Sequence, residues 1–283
     1  MNISFDKSEY LYYNRWHIYG GYMEILDIRD IDFSKLEMLD IFSSESTLYF
    51  YDKLIYKLYD DLPLDTLKRK REKMYLLNQG ENNFDAVIPS ILIQNRDLMY
   101  GCAMEYIKNS KSLIKYKKSE MFILLLYAVS LSLKKIHSDP RNIVVGDLHF
   151  NNILIDEKWH HHFVDFDSVM IDGIKEDRLP RNLMDYVSNR GNFKYEVSPK
   201  TDKLCMFLSI LNALFGKDID SISMNEYDEK AETLYTLKNM RNLVLDVKNN
   251  SSGILEVPYL SELISIRDFP VTKKIRSLGT KKG

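Results

Sequence analysis

The chain has 283 residues with 11 Gly and 7 Pro, a combined share of about 6% that is roughly half the usual one and excludes a collagen-like, linker-dominated or disordered protein. Apolar residues make up 45% and aromatics 12%, enough for a large core in about two domains or one two-lobed unit. Basic residues (39) nearly cancel acidic ones (41) and the pI is about 6.3, which argues against nucleic acid as the main partner. No G-x-G-x-x-G and no G-x-x-x-x-G-K-[ST] can be written with these glycines, so Rossmann dinucleotide binding and P-loop hydrolysis are poor readings.

Met1 to Tyr10 has no apolar core of the signal-peptide kind. The Tyr-rich opening, with Tyr10, Tyr12, Tyr13, Trp16, Tyr19 and Tyr22, reads as packing over a small lobe rather than a platform for stacking bases. Alternation predicts strands at Met38–Phe42, Leu48–Tyr51 and Leu54–Tyr59, with Ser43-Ser44-Glu45-Ser46-Thr47 and Asp52-Lys53 as turns. Pro63 opens a helix to about Gln79, closed by Gly80. Ser90–Gln94 and Leu98–Ile107 are further strands around the turn Asn95-Arg96-Asp97.

Beyond Lys108 the pattern turns helical: Lys118–His137, a hairpin region to about Phe166, then Pro199–Phe215, Glu226–Val247 and a short Leu260–Ile266. The longest near-apolar run, Met121–Leu133, is too short to cross a bilayer. Cys102 and Cys205 lie far apart in apolar segments and give neither a disulfide framework nor a zinc spacing. The chain therefore reads as cytoplasmic, without a membrane span, and as α+β, β-rich in its first third and α-rich after it. The lysines of 108–118 and the basic tail Val271–Gly283 read as solvated surface rather than an anionic-partner site.

The most informative stretch is Val145-Gly146-Asp147-Leu148-His149-Phe150-Asn151-Asn152-Ile153-Leu154-Ile155, followed by Phe163-Val164-Asp165-Phe166-Asp167. It resembles the protein kinase-like superfamily, of the atypical bacterial or phage protein kinase type or the aminoglycoside-phosphotransferase type, whose motifs read H-R-D-L-x-x-x-N and D-F-G. The resemblance covers about residues 38–216. It implies a two-lobe fold: a small antiparallel β lobe with one helix (1–104, with an N-terminal extension 1–37), a hinge (105–107), and a larger, mainly α-helical lobe (108–283). The implied activity is ATP-dependent transfer of the γ-phosphate to a hydroxyl, with Mg²⁺ or Mn²⁺ as cofactor.

By the same resemblance Asp147 is the catalytic base, and Asn152 and Asp165 are metal ligands that a hairpin brings together. Lys57 binds the α- and β-phosphates, and Met104, Glu105 and Ile107 line the adenine edge at the hinge. Without the other motifs, that last stretch reads equally well as a plain strand end. Glu72 either holds Lys57 or decorates an exposed basic helix face beside Lys68. Asp202 is either a buried aspartate bonded to the catalytic-loop backbone or a helix N-cap. The phosphate-covering turn would be Ser43, Ser44, Glu45, Ser46 and Thr47, donating through hydroxyls and backbone N–H groups, with Glu45 pointing to solvent.

Departures from the family are equally plain. Val145 and Gly146 stand for the catalytic-loop histidine and arginine, so activation by loop phosphorylation is not expected. Asp167 replaces the D-F-G glycine, and His149 stands where Ser/Thr protein kinases carry a lysine. A protein Ser/Thr hydroxyl is the expected acceptor. The alternatives are a small-molecule kinase of the aminoglycoside or choline phosphotransferase type, and a pseudokinase or nucleotidyl-transferring regulator. His160-His161-His162 reads as a solvated hairpin before a metal site, since adjacent strand residues face opposite ways.

Overall fold

The computed structural model describes residues 15–18, 21–41, 45–175, 180–191 and 193–270. The chain is mixed α+β and divides into two compact units, Met1–Asn83 with Val87–Tyr106, and Phe84–Ala86 with Ile107–Gly283.

The first unit is built on a seven-stranded sheet. Its strands are β1 (Arg15–Ile18), β2 (Gly21–Asp27), β3 (Glu37–Met38), β4 (Ser46–Tyr51), β5 (Leu54–Tyr59), β6 (Ile91–Asn95) and β7 (Leu98–Glu105), in the order β1-β2-β6-β7-β5-β4-β3. Helix α1 (Leu64–Leu77) follows β5. The sheet is not wholly antiparallel, as the sequence suggests, because β2 pairs in parallel with β6. The reason is the N-terminal extension: its β1–β2 hairpin adds to the β6 edge and so widens the sheet instead of packing over it. Of the expected tyrosine cover, Tyr10, Tyr12, Tyr13 and Tyr19 lie outside the described residues.

Alternation along β5 sorts its side chains into two sets. Leu54, Tyr56 and Leu58 join Ile93, Ala103, Ile28, Ile31 and Leu36 in a core on one face. Lys57 and Tyr59 belong to the other set, and there β5 lies against a β7 that carries Gly101 opposite Leu58. Any Cβ at Gly101 would overlap the Lys57 carbonyl oxygen, so glycine is what lets β7 approach β5 this closely.

The second unit holds a three-stranded sheet, β8 (Lys111–Ser112), β9 (Ile153–Ile155) and β10 (His161–Phe163), in the order β10-β9-β8. Its helices are α2 (Phe122–His137), α3 (Arg181–Ser188), α4 (Pro199–Phe215), α5 (Met224–Ala231), α6 (Tyr235–Asn249) and α7 (Leu260–Leu263). Helix α4 starts at Ser198, whose N–H donates to Thr201 Oγ1 (3.0 Å) ahead of Pro199, and ends at Gly216 in the left-handed region (φ 70°).

The expected single helix 226–247 is two helices. The backbone N–H groups of Tyr235 and Thr236 donate to the buried carboxylate of Asp268 (3.0 and 2.6 Å). That carboxylate caps a new helix start and stops α5 from running on. Of the expected strand Met38–Phe42, Met38 pairs with Tyr49 in β3 and the Leu39 N–H donates to the Leu48 carbonyl (2.9 Å), while Phe42 lies outside the described residues.

Candidate functional site

In the second unit a loop between α2 and β9 carries Asp147 and Asn152. Its entrance is fixed by Asp202, a fully buried carboxylate in the first turns of α4. Asp202 accepts from the N–H groups of Val145 (2.7 Å) and Gly146 (2.9 Å), with Gly146 in the left-handed region (φ 76°). Its Oδ2 also meets His137 Nε2 at 2.9 Å, and His137 Nδ1 meets the Tyr259 hydroxyl at 3.0 Å. The N-cap of α4 is Ser198, so of the two sequence readings for Asp202 the backbone-bonded one holds.

Leu148 and Phe150 bury the middle of the loop, Phe150 edge-on to Phe122 at 6.1 Å. At its exit the Asn152 amide donates from Nδ2 to the Asp147 carbonyl (3.1 Å), which leaves its oxygen as the acceptor end. Asp147 itself stays partly accessible, its side chain 15% exposed, and His149 Nε2 lies 3.7 Å from Asp147 Oδ1.

The hairpin brings Asp165 back beside Asn152. Phe163 pairs with Ile153, and the Val164 N–H donates to the Asn152 carbonyl at 2.9 Å. Asp165 adopts φ 67°, ψ 31°, a left-handed conformation, and its carbonyl accepts from Ser168 at 3.1 Å. That backbone is strained for a side-chain-bearing residue by about 1 kcal/mol, although Asp tolerates it better than most. Below it Phe166 is fully buried and lies 5.8 Å from Phe84.

Asn152 and Asp165 together offer an amide and a carboxylate, the hard oxygen donors that Mg²⁺ takes with substrate oxygens and water completing its shell. Among the described residues no group of three or more His, Cys, Asp or Glu side chains is placed to hold a metal by itself. Burial, with the Asp202 and Asp147 carboxylates adding to it, pushes the Cys205 thiol well up, so it is not a nucleophile at neutral pH.

A cavity of 490 Å³ in this unit is lined by His149, Asn151, Arg181, Asn182, Asp185 and Asp218, among others. Two of its lining atoms, His149 Nδ1 and Asn182 Oδ1, are buried without a hydrogen-bond partner.

The histidine run differs from a solvated hairpin at its centre. His161 is 9% exposed and meets Ser132 Oγ at 2.8 Å, while Ser132 donates to Asp85 Oδ2 at 2.6 Å. Burial lowers the His161 pKa and the Asp85 charge opposes that shift. His160 and His162 both approach Asp156, at 3.5 and 3.4 Å.

The first unit places several of the residues expected to meet phosphate differently from that expectation. Lys57 is buried at 6% exposure, but Glu72 is exposed. The buried stripe of α1 is Lys70, Lys73, Met74 and Leu77. Glu72 is two residues from both Lys70 and Met74, which at 100° per residue turns it to the far side. The Lys57–Glu72 pair is therefore not formed.

Glu45 corrects a second expectation: its side chain is 13% exposed, not solvent-directed, and pairs with Lys70 at 3.6 Å. Ser46 and Thr47 are strand residues of β4 rather than loop; Ser46 is buried and the Thr47 hydroxyl donates to Asp60 (3.0 Å). Ser43 and Ser44 lie outside the described residues. Met104 is buried in β7 opposite Ile55, Glu105 is exposed at its end, and the Ile107 carbonyl accepts from Ser110 Oγ (2.8 Å).

His137, Tyr259 and the buried lysines of α1 were missed in sequence. The lysines had a signal: positions 70, 73, 74 and 77 follow helical spacing, so Lys70 and Lys73 share the stripe of Met74 and Leu77. No protein-family model matches the chain, and no curated protein matches it.

Proposed function

We propose that the protein is an ATP-dependent phosphotransferase with a hydroxyl acceptor. The observation that carries this reading is the second unit's grouping of Asp147, Asn152 and Asp165 on one rigidly anchored loop and one hairpin. Asp147 accepts or orients the acceptor hydroxyl, in keeping with its partial exposure. Asn152 and Asp165 would hold Mg²⁺, which supplies neutralisation of the phosphate charge when bound. The strain retained at Asp165 supports a functional placement, because a purely structural turn there would be better served by glycine. It is the family resemblance that assigns Lys57 to the phosphates and Met104, Glu105 and Ile107 to the adenine edge.

A protein Ser/Thr hydroxyl is the first acceptor on this reading. The alternative, a small hydroxyl-bearing acceptor, has one observation in its support, a 490 Å³ cavity lined by His149, whose Nε2 lies 3.7 Å from Asp147 Oδ1, a size that suits a small ligand.

The test is transfer of label from γ-labelled ATP by wild type, Asp147→Ala and Asp165→Asn, the last chosen because Asn also tolerates the left-handed backbone. Both variants are expected to lose at least about 100-fold in rate while melting close to wild type. Wild type that binds Mg·ATP and moves no label to itself, to proteins, to small alcohols or to water would overturn the reading.

A further inference from the structure

We propose that the second unit carries a docking surface for an acidic, extended peptide segment of the protein acceptor, made by the lysines of 108–118 and the exposed ring of Trp159. Polarity alone reads this stretch as solvated surface. Lys108, Lys111, Lys115, Lys117 and Lys118 are all exposed, and none of the five forms an ion pair among the described residues. From Tyr106 to Ser119 the sequence holds no acid to neutralise them, so the five ammonium groups leave a local positive field.

Rigid parts of the fold hold this surface. Lys111 and Ser112 form β8, paired with Ile155 and Leu154 of β9, and the fully buried Leu113 pins the 3-10 turn Leu113–Tyr116 that follows. Lys111, Ser112, Lys115 and Tyr116 line a cavity of 490 Å³, so two of the cations border a concavity. The same turn supplies Ile114 to the other cavity, the one lined by His149 and Asn151. One turn of backbone thus borders both, and a peptide seated on the lysines is led towards His149, whose Nε2 stands 3.7 Å from Asp147 Oδ1.

Trp159 supplies the apolar contact. It stands in the β9–β10 turn with φ 67°, in the left-handed region, where glycine would sit at lower cost. The residue is nonetheless 47% exposed, so burial in a core does not explain why a bulky ring is kept there. The ring meets Tyr116 edge-on, centroids 5.5 Å apart at 60°, which holds it at the border of the lysine cavity. The two acids of the hairpin turn are engaged elsewhere: Asp156 accepts from the Lys158 and His160 N–H groups (2.8 Å each), and Glu157 from the Asn109 amide (3.0 Å).

A fixed aromatic ring beside unpaired ammonium groups suits two classes of anionic chain, polypeptide and single-stranded nucleic acid. Extent decides between them. The cations fall within residues 108–118, while the whole chain has 41 acids against 39 bases. A polynucleotide gains affinity from many phosphates along a continuous basic track, which that balance does not supply. A few carboxylates around one apolar residue need only the local patch. The inference rests on the phosphotransferase reading for the peptide's role as acceptor, but binding is tested without transfer.

The probe is a dye-labelled peptide of about 12 residues, roughly 40 Å when extended, rich in Asp and Glu with one Leu and one Ser. Its anisotropy is titrated with the full chain, with the double variant Lys111→Gln/Lys115→Gln and with Trp159→Gly, thermal melts checking that each is folded. Controls are the same peptide with Asn and Gln in place of its acids, and an oligo-uridine RNA of matched length. Wild type is expected to bind the acidic peptide at least about tenfold more tightly than the neutral one, weakening with salt. The double variant is expected to lose at least about fivefold and Trp159→Gly about threefold. Equal binding of acidic and neutral peptides by wild type, undiminished binding by either folded variant, or tighter binding of the RNA would overturn the inference, the last by making nucleic acid the partner. Label transfer by wild type alongside that failure leaves the enzyme reading standing. Preference for the acidic peptide with no transfer to any acceptor would sink the enzyme reading and leave the docking surface.

Discussion

Single buried titratable residues in this protein are expected to show in the pH dependence of its stability. The His161 pKa lies below the ordinary histidine value of about 6.5, with burial the larger cause and the Asp85 charge opposing it. The unfolded chain therefore takes up the proton first as pH falls. His161 contributes stability in full above the ordinary value, and this drains away as pH drops towards the lowered one. Thermal midpoints measured from about pH 7.5 to about 5.5 should fall more steeply for wild type than for His161→Gln.

Asp202 is a larger case. Asp202→Ala would leave the Val145 and Gly146 N–H groups and His137 without their common acceptor in a buried site. The expected cost is about 3 kcal/mol or more, read by denaturant titration; on the proposed phosphotransferase reading, label transfer should fall as well, as the loop loosens. Asp147, Asn152 and Asp165 could be found in the sequence because their spacing is short and local. His137 and Tyr259 could not, because His137 meets Asp202 and Tyr259 only across long stretches of chain. Glu45 was expected in solvent but stands beside Lys70, and of the two readings of Glu72 the exposed helix face is the one found, because polarity alone does not reveal which buried cation lies nearby.

Among the elements, strands and helices with a clean period came through at nearly their written bounds: Leu54–Tyr59 is β5, and Pro199–Phe215 is α4. Those that failed were set by distant partners. The α5–α6 break depends on Asp268, thirty-odd residues along the chain from the N–H groups it caps, with distances of 3.0 and 2.6 Å. Asp268→Ala should cost about 1–2 kcal/mol and reduce helicity in far-UV circular dichroism, as the loss of a strong cap does. The parallel β2–β6 pairing was likewise hidden, since nothing in either strand alone states its direction.

The β5–β7 contact gives a sharper test. Gly101→Ala would push the new methyl into the Lys57 carbonyl oxygen, so the strands must part or the variant must strain. A loss of about 2 kcal/mol or more is expected by denaturant titration. If transfer is detected, Gly101→Ala should also raise the Michaelis constant for ATP, because the Lys57 backbone moves.

The whole molecule is discontinuous in sequence. Phe84–Ala86 belong to the second unit although residues on both sides of them belong to the first. There they are held by the Phe163 N–H donating to the Asp85 carbonyl (2.8 Å), by the Ala86–Phe163 bridge and by Phe84 against Phe166. A fragment of residues 107–283 therefore lacks part of its own fold. It should melt below the full chain's second unit, and a peptide spanning residues 83–88 should raise its midpoint in a concentration-dependent way.

That three-residue excursion also bears on synthesis. On the ribosome the first unit is complete once residue 106 has emerged, whereas Phe84–Ala86 must wait for Phe163 and Phe166 before they have a docking partner. The nascent chain thus carries an exposed Phe-Asp-Ala stretch for the time taken to translate the intervening residues, a matter of seconds at about 5–20 residues per second. A slow codon cluster in that interval would lengthen the exposure.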